Sequence, residues 1–488
     1  TYTGFCLMGL GCLLLLCARG GGFRRLLRHP LIRKGGLFLI ALFWGCQLKA
    51  DPALPVVKRV QADSLAIQQV VYNDRVAPFN TLARDFVQKI YGRPSFHGIT
   101  PEQVVSSWML YPEEWNRTPI IHIKNQELRT ALGLKEEYAS LNHLFDGTQY
   151  KLQPLWQREQ GNRSKLAQAI QETDEKVGLI LMLRQGTLVR PLPPDVSPLS
   201  TQKVNAELWY NRIPFSKILF MVNLTLGFAA FGLFMFRMLT NRKEKAVSRR
   251  VWGTALCLTT LFHATGYALR GYIRGGFPLS NGYETMQFVT LAVLLTACLL
   301  QRRFPFTRPF GFLLSGFTLL VAYLGEMNPQ ITPLMPVLAS PWLSWHVSLI
   351  MISYGLFAFT FLNGILALCL IGKQKNTASP ITGEQIEQLT LLSRLLLYPG
   401  TFLLGTGIVL GAVWANVSWG SYWSWDPKEV WALAAFIIYG ISFHRKSLPY
   451  FQRPWLFHGY MIFAFAVVLM TYFGVNYLLG GMHSYANS

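Results

Sequence analysis

The sequence predicts a polytopic α-helical membrane protein of about ten transmembrane helices with one extracytoplasmic mixed α/β domain. Three observations predict it. Apolar residues make up 51% of the 488 and are gathered into separate runs, most of them near the length of about 17 to 25 residues that crosses a bilayer core as a helix. The loops between runs alternate between strongly basic and almost uncharged. One long stretch, residues 51–213, has no apolar run of spanning length and carries nearly balanced charge, with 19 Lys or Arg against 17 Asp or Glu. A soluble chain of two or three domains would spread its apolar residues more evenly.

The runs lie at 2–18, 35–50, 215–236, 252–270, 284–301, 309–326, 346–371, 397–415, 429–444 and 455–479. The second is the weakest, because its strictly apolar part from Gly35 to Cys46 is short. Five loops, 19–34, 237–250, 302–308, 372–394 and 445–453, hold 21 Lys or Arg. The alternate loops 271–283, 327–345, 416–428 and 480–488 hold only Arg274 and Lys428. This is the positive-inside pattern. It makes the basic loops cytoplasmic and puts both termini and residues 51–213 on the outer side, as in a bacterial inner membrane. The formal charge of +21 therefore reports topology, and nucleic acid is excluded as a partner.

Residues 1–50 read as two membrane spans. Thr1 opens directly into the first, which reads as a fragment of a longer protein or a processed one. In residues 51–213, a helical period runs through Pro78–Tyr91 behind a turn at Asn73-Asp74. The run Gly178–Val189, broken by Gln185-Gly186, reads as a hairpin. The Pro-rich segment 190–198 reads as a linker back to the membrane. Residues 214–488 form an eight-span unit. In its inner loop, residues 380–398 read as an amphipathic helix at the interface, with Thr382 and Gln385 at capping-box spacing and apolar Ile386, Leu389, Leu392 and Leu396 on one face.

All seven cysteines lie in apolar runs, so there is neither a disulfide framework nor zinc-finger spacing. There is also no C-x-x-C-H, which excludes a c-type cytochrome. Five of the 14 tryptophans, Trp414, Trp419, Trp423, Trp425 and Trp431, fall in the single stretch WANVSWGSYWSWDPKEVW. Interfacial anchoring uses one or two aromatics at a helix end. Five, spaced by Gly, Ser and Asn, suggest a surface for stacking on a flat aromatic ligand. Within it, Asp426-Pro427-Lys428-Glu429 has the order N-cap, Pro at N1 and Glu at N3, so Asp426 reads as a helix cap before it reads as an acid.

Histidines inside or beside membrane spans are functional candidates by default. His346 and His483 each lie at the outer end of a span, level with the tryptophans. Two imidazoles from opposite sides suit a low-spin haem iron; hydrogen bonding to headgroups or carbonyls is the alternative. His444 lies 15 positions beyond Glu429, roughly 22 Å deeper at 1.5 Å per residue, which assigns it to a second, inner site or makes it a snorkelling helix-end residue. His263 and His458 read as satisfied by a neighbouring helix. Arg270 and Arg274 sit on the side that avoids cations. Their guanidinium forks suit haem propionates; a salt bridge to Glu284 or snorkelling is the alternative. No side chain presents itself as a general base, and no catalytic residue is nominated.

The stretch WGSYWSWDPKEVWAL, in the order His346, signature, His444, LLGGMHSYA, resembles the "WWD" proteins of cytochrome c maturation, and in particular the CcsA-type subunit, over roughly 215–488. The loop GGFPLSNGYETM resembles that subunit as well. YNDRVAPFNTLARDF and the two spans of residues 1–50 look like the C-terminal part of a CcsB-like half, so that the whole resembles a fused CcsBA, the system II cytochrome c synthase. The resemblance implies haem b as a non-covalently bound substrate. It implies His346 and His483 as iron ligands of an external site, with the platform at Trp414, Trp419, Trp423, Trp425, Trp431 and Asp426, and His444 as a ligand of an inner site. The second inner histidine expected of the family has no match here, so it lies upstream of Thr1 or on another chain. The implied activity is holocytochrome c synthase: haem crosses the membrane and joins an apocytochrome c CxxCH through thioethers. The implied partners are that apocytochrome, a thiol-reducing protein and membrane lipid. A haem transporter or chaperone that presents haem without ligating it would need the same residues. An unrelated transporter with interfacial tryptophans is the third class.

Overall fold

The computed structural model describes residues 54–479, apart from 148, 163, 241, 243, 326, 328, 333–339 and 377–379. The two runs of residues 1–50, and His483, lie outside the described residues.

Residues 54–213 form a small mixed unit. Its elements are α1 (Arg59–Ala66), β1 (Gln69–Tyr72), β2 (Arg75–Pro78), α2 (Phe79–Tyr91), α3 (Pro101–Leu110), α4 (Pro112–Arg117), β3 (Ile121–His122), α5 (Gln126–Ala131), β4 (Tyr138–Ala139), β5 (Phe145–Asp146), β6 (Gln149–Tyr150), α6 (Leu152–Glu159), α7 (Lys165–Arg184), β7 (Arg190–Pro191) and α8 (Thr201–Arg212). The main sheet has the order β2-β1-β7, antiparallel throughout, with Val70 opposite Ala77 on one side and Pro191 on the other. Asn73 and Asp74 turn the β1–β2 hairpin at φ 49° and 55°, a left-handed conformation that these two residue types tolerate.

The expected helix is α2. Its Phe79, Leu82, Phe86 and Ile90 recur at helical spacing and enter one core with Trp108 and Trp115. Both indoles there are buried and satisfied, Trp108 by Asn116 at 3.0 Å and Trp115 by the Pro55 carbonyl at 3.1 Å. The expected hairpin at Gly178–Val189 is corrected. Its first arm belongs to α7, which starts at the Ser164 cap and buries Ile170, Thr173, Val177 and Ile180 at spacings of three and four. The turn at Gly186 (φ 72°) is present, and β7, just beyond it, pairs with β1.

Eight helices come next among the described residues: α9 (Phe215–Leu239), α10 (Ala246–Arg274), α11 (Gly282–Leu300), α12 (Thr307–Leu324), α13 (Pro341–Asn376), α14 (Pro380–Trp419), α15 (Pro427–Ile441) and α16 (Pro454–Leu469), the last continued as a π-helical stretch to Leu479. They stand where the sequence put them, and six are long and apolar enough to cross a membrane. The separate interfacial helix expected at 380–398 is absent. These residues are the first half of α14, 40 residues long with Pro399 inside it. Ile386, Leu389, Leu392 and Leu396 are buried in the bundle core, where helix neighbours replace the lipid surface as the cover for that face. Pro399 leaves the Leu395 carbonyl without its helical donor; one residue beyond the proline, the Ser353 hydroxyl donates to the Gly400 carbonyl at 2.7 Å and ties α14 to α13.

The small unit docks on the low-charge end of the bundle through the segment 329–331. Arg75 donates to the Ile331 carbonyl at 2.9 Å and pairs with buried Glu207. Asn73 donates to Gln330 at 3.2 Å. Asp85 lies in a cavity of about 450 Å³ at this junction, beside Tyr72 and Gln330. Burial raises its carboxyl to about 6, against the opposing pull of Arg84 and Arg75. A folded pKa above the unfolded one means that the contribution of Asp85 to stability is fully present below about pH 4 and is lost as pH rises through about 6. Asp85→Asn should flatten that slope. The pH 4.5-to-7.5 change in stability of the full chain, read from thermal midpoints, should differ between the two proteins by the equivalent of about 2 kcal/mol; equal slopes in both proteins would refute the role of burial.

Candidate functional site

The tryptophan stretch is in two parts rather than one shelf. Helix α14 runs on through Trp419 and is stopped by Gly420, at φ 76°, whose N–H returns to the Asn416 carbonyl at 2.9 Å. Trp414 is therefore a helix residue and is buried at 2% exposure, whereas Trp419 and Trp425 are exposed at 37% and 72%. The rings do not lie in a plane. Trp414 meets Trp419 edge to face with centroids 4.7 Å apart and a 67° angle, and Trp423 meets Trp425 at 5.9 Å and 89°. This is the arrangement that the indole quadrupole favours. Trp431, on α15, packs with the core of the last helices.

Asp426 caps α15 as expected. Its carboxylate accepts from Lys428 N, and Glu429 returns to the Asp426 N–H in a capping box, with Pro427 at the first helical position. Glu429 does more than the sequence showed. It also accepts from Ser424 N at 2.8 Å and from the Ser424 hydroxyl, so one carboxylate folds the loop that carries Trp423 and Trp425. Trp425 is held there at φ 59°, a conformation that costs a bulky residue of order 1 to 3 kcal/mol.

His346 lies in the second turn of α13. Its Nδ1 donates to the Gly407 carbonyl at 2.6 Å. A carbonyl only accepts, so Nδ1 carries a proton; in the neutral ring this is the tautomer in which a histidine binds a metal through Nε2. The close approach depends on glycine. A Cβ on Gly411 would come within 2.6 Å of the His346 ring, and one on Gly407 within 2.6 Å of Ile350. Gly407, Gly411 and Trp414 are spaced by four and three and share one face of α14. The helix pair α13–α14 thus brings His346 to the face that carries the first of the tryptophans.

His444 lies at the basic end of the bundle, just past the end of its helix. Helix α15 ends at Ile441, and successive short bonds, Phe443 N to Gly440 and His444 N to Ile441, close the chain into a turn. His444 is exposed in that turn at the basic end of the bundle. His263 is buried, and its Nε2 donates to the Gln287 carbonyl at 2.8 Å. His458 is buried against the Thr390 hydroxyl at 2.9 Å.

The salt bridge that the sequence left open for Arg270 and Arg274 is formed. Glu284, fully buried, takes Arg270 Nε at 2.8 Å and Arg274 Nη1 at 2.7 Å, together with the Ser280 N–H and hydroxyl. Arg270, itself 1% exposed, also donates to Tyr210 and to the Pro329 and Gln330 carbonyls. Its guanidinium is committed within the protein, which removes it from the propionate role. Sequence reasoning missed Gly407, Gly411 and the loop-folding part of Glu429. The glycine spacing 400, 407, 411 within one span was the available signal, since small residues mark close helix contacts.

With this geometry in view, the likenesses to known proteins are specific. Residues 279–483 match the family described as Cytochrome C assembly protein. The cytochrome c biogenesis protein CcsA of Synechococcus sp. WH7803 is 33% identical over 312 residues, taking in 54% of this chain and 94% of that protein. The chain belongs to the CcsA family. CcsA of Guillardia theta is 34% identical over 258 residues, covering 47% of this chain and 82% of its own length. Protein NrfI of Wolinella succinogenes is 31% identical over 572 aligned residues, taking in the whole of this chain but 62% of NrfI. The CcsA-like half thus sits behind a segment shared with NrfI, as in a fused chain of the CcsBA type, and the chain spans less than two thirds of that longer relative. The match holds His346, His444, the tryptophan stretch and, at its last residue, His483.

Two glycine changes separate the His346 contact from general packing. Gly411→Ala should destabilise by about 1 to 3 kcal/mol through overpacking. Gly440→Ala, where nothing lies within 4 Å of the new methyl, should be neutral or stabilising. Thermal unfolding of the purified chain reads both, and equal midpoints would rule out a tight contact at Gly411. Glu284→Gln should cost more, about 3 to 5 kcal/mol, because it leaves buried guanidinium groups facing a neutral amide.

Proposed function

We propose that the protein is a cytochrome c synthase that moves haem across the membrane and presents it at the tryptophan stretch for thioether attachment to an apocytochrome c CxxCH segment. The observation that carries this reading is His346. Its Nδ1 is held by the Gly407 carbonyl on a helix face that continues to Trp414, so the orientation of its ring is set by the packing of the two helices. His483 supplies the second axial nitrogen in this reading, and the exposed edges of Trp419, Trp423 and Trp425 cover the ring. The propionate role falls to Arg274, whose Nη2 is buried without a hydrogen-bond partner among the described residues. His444, at the basic end of the bundle, meets haem first, with its partner histidine supplied from outside the described residues.

The protein contributes orientation and exclusion of water, while the substrate carries the reactive carbons. In the attachment step each cysteine S–H of the apocytochrome adds across one vinyl C=C. A C–S bond forms, the thiol proton goes to the other vinyl carbon, and no net oxidation occurs. The thiols must arrive reduced, which calls for a thiol-reducing partner. Both sides of the membrane are used: the basic loops are cytoplasmic, and the tryptophan stretch faces the periplasm.

Co-expression of the complete protein with an apocytochrome c in a host without other haem lyases tests the synthase. Covalent haem on the apocytochrome supports it, whereas haem retained by the protein with none transferred supports a presenting chaperone. His346→Ala should abolish transfer and shift the absorption spectrum of the co-purified haem, while His143→Ala, in the 54–213 unit, should leave both unchanged. An unaltered spectrum in the His346 variant would refute the ligand assignment.

A further inference from the structure

At the basic end of the bundle, away from the tryptophans, a cavity of about 300 Å³ opens between the ends of α9 and α13 and the beginnings of α10, α12 and α14. Its deeper wall is apolar, with Leu233, Phe234, Leu366 and Leu370, and its rim is cationic, with Arg237, Arg242 and Arg308. Glu244 and Glu384 also line it, so three positive and two negative groups leave an excess of one positive charge. Glu244 pairs with Arg308 through both guanidinium nitrogens, at 2.9 and 2.8 Å, and with Arg237 at 3.2 Å. Arg242, at the mouth, is exposed.

Two polar atoms of this lining are left over. Arg308 is 3% exposed, yet its Nε is buried without a hydrogen-bond partner among the described residues, as is Gln385 Oε1. Leaving a buried donor or acceptor unmade costs about 1 to 3 kcal/mol each, more for a charged group. A ligand that removes both costs must offer an acceptor to the guanidinium and a donor to the amide oxygen. It must also place apolar matter against the deeper wall. Basic pockets between helices at a membrane face are suited to anionic headgroups, and Arg in particular to phosphate oxygens.

We infer that this cavity is a binding site for an anionic phospholipid whose headgroup carries hydroxyl donors, of the phosphatidylglycerol type. Its phosphate meets Arg308 and Arg242, its hydroxyl meets Gln385, and its acyl chains run along Leu233 and Leu370. Trp252, which also lines the cavity, is an amphipathic ring suited to the headgroup level. The site is separate from haem presentation. It would fix the ends of five helices to the leaflet at the basic end.

Native mass spectrometry of the detergent-purified full chain, titrated with phosphatidylglycerol, phosphatidylcholine and phosphatidylethanolamine in turn, tests the inference. Phosphatidylglycerol should be retained preferentially. Arg242→Gln should weaken that retention roughly fivefold, the worth of one arginine at a membrane face, and Arg308→Gln at least as much. Arg302→Gln, an exposed arginine outside the cavity, should have no effect. Because Arg308 is part of a buried network, Arg242→Gln keeps the test valid if the Arg308 variant fails to fold. Equal retention of all three lipids, or equal loss in Arg302→Gln, would overturn the site. Displacement of the lipid by millimolar inorganic phosphate would reassign it to a free anion, and displacement by hemin would reassign it to the cargo; either result also overturns the lipid.

Discussion

A charge buried at the end of a helix bundle has to be paired, and Glu284 is the buried charge on which the low-charge end of this protein depends. It draws Arg270 and Arg274 from α10 onto the start of α11 and takes both hydrogen-bond donors of Ser280 from the connecting loop. With Nε given to Glu284, Arg270 has its terminal nitrogens left for Tyr210 on α8 and for the carbonyls of 329 and 330. The same short segment receives Arg75 and Asn73 from the β1–β2 hairpin. One guanidinium therefore links the membrane helices to the unit of residues 54–213. Breaking a buried pair costs more than making it ever gains, so the pair is better read as a specifier of geometry than as a source of stability. Pro341, where the helix of His346 begins, comes ten positions after this segment.

The second constraint is the absence of side chains. Helices α13 and α14 approach closely because Gly400, Gly407 and Gly411 offer no Cβ where Phe357, Ile350 and His346 lie. In a lipid environment association rests on such close contacts, since the lipid chains are as apolar as the side chains. The same contact also governs chemistry. Close approach exposes the Gly407 carbonyl to the His346 ring, and that single bond chooses the tautomer. The packing of two helices and the orientation of a ligand nitrogen are here the same interaction.

Much of this was legible in the sequence, and the exceptions have physical causes. Long apolar runs and the alternation of loop charge gave the helices of the membrane part, because both arise from the bilayer alone. The capping box at Asp426 and Glu429 was legible because it is local, with every partner within three residues. Residues 380–398 misled because an amphipathic face looks the same whether lipid or protein covers it. The arm Gly178–Arg184 misled because a short apolar run does not declare its period, and the buried positions that do, Ile170 and Thr173, lie upstream of it. The depth of His444 at the basic end was legible from its distance beyond Glu429; that α15 ends three residues earlier was not, because the bonds of shorter reach leave no mark on composition. The His346–Gly407 contact joins residues 61 apart, and only the glycine spacing hinted at it.

The tryptophan stretch is thereby a different object from a flat shelf. It is a helix end, a stop at Gly420 and a loop drawn into shape by one carboxylate, with indoles set at right angles rather than laid in a sheet. A bulky residue at φ 59° does not stay there by preference; it stays where surrounding bonds over-determine it. The bonds from Ser424 and Asp426 to Glu429 meet that requirement on either side of Trp425. The cost of shaping the loop is thus met during folding, before a ligand is bound, and binding to a preorganised surface loses less entropy. Asp426 and Glu429, read from the sequence as the cap of the next helix, act together as the device that keeps the most exposed indole of the stretch in its strained place.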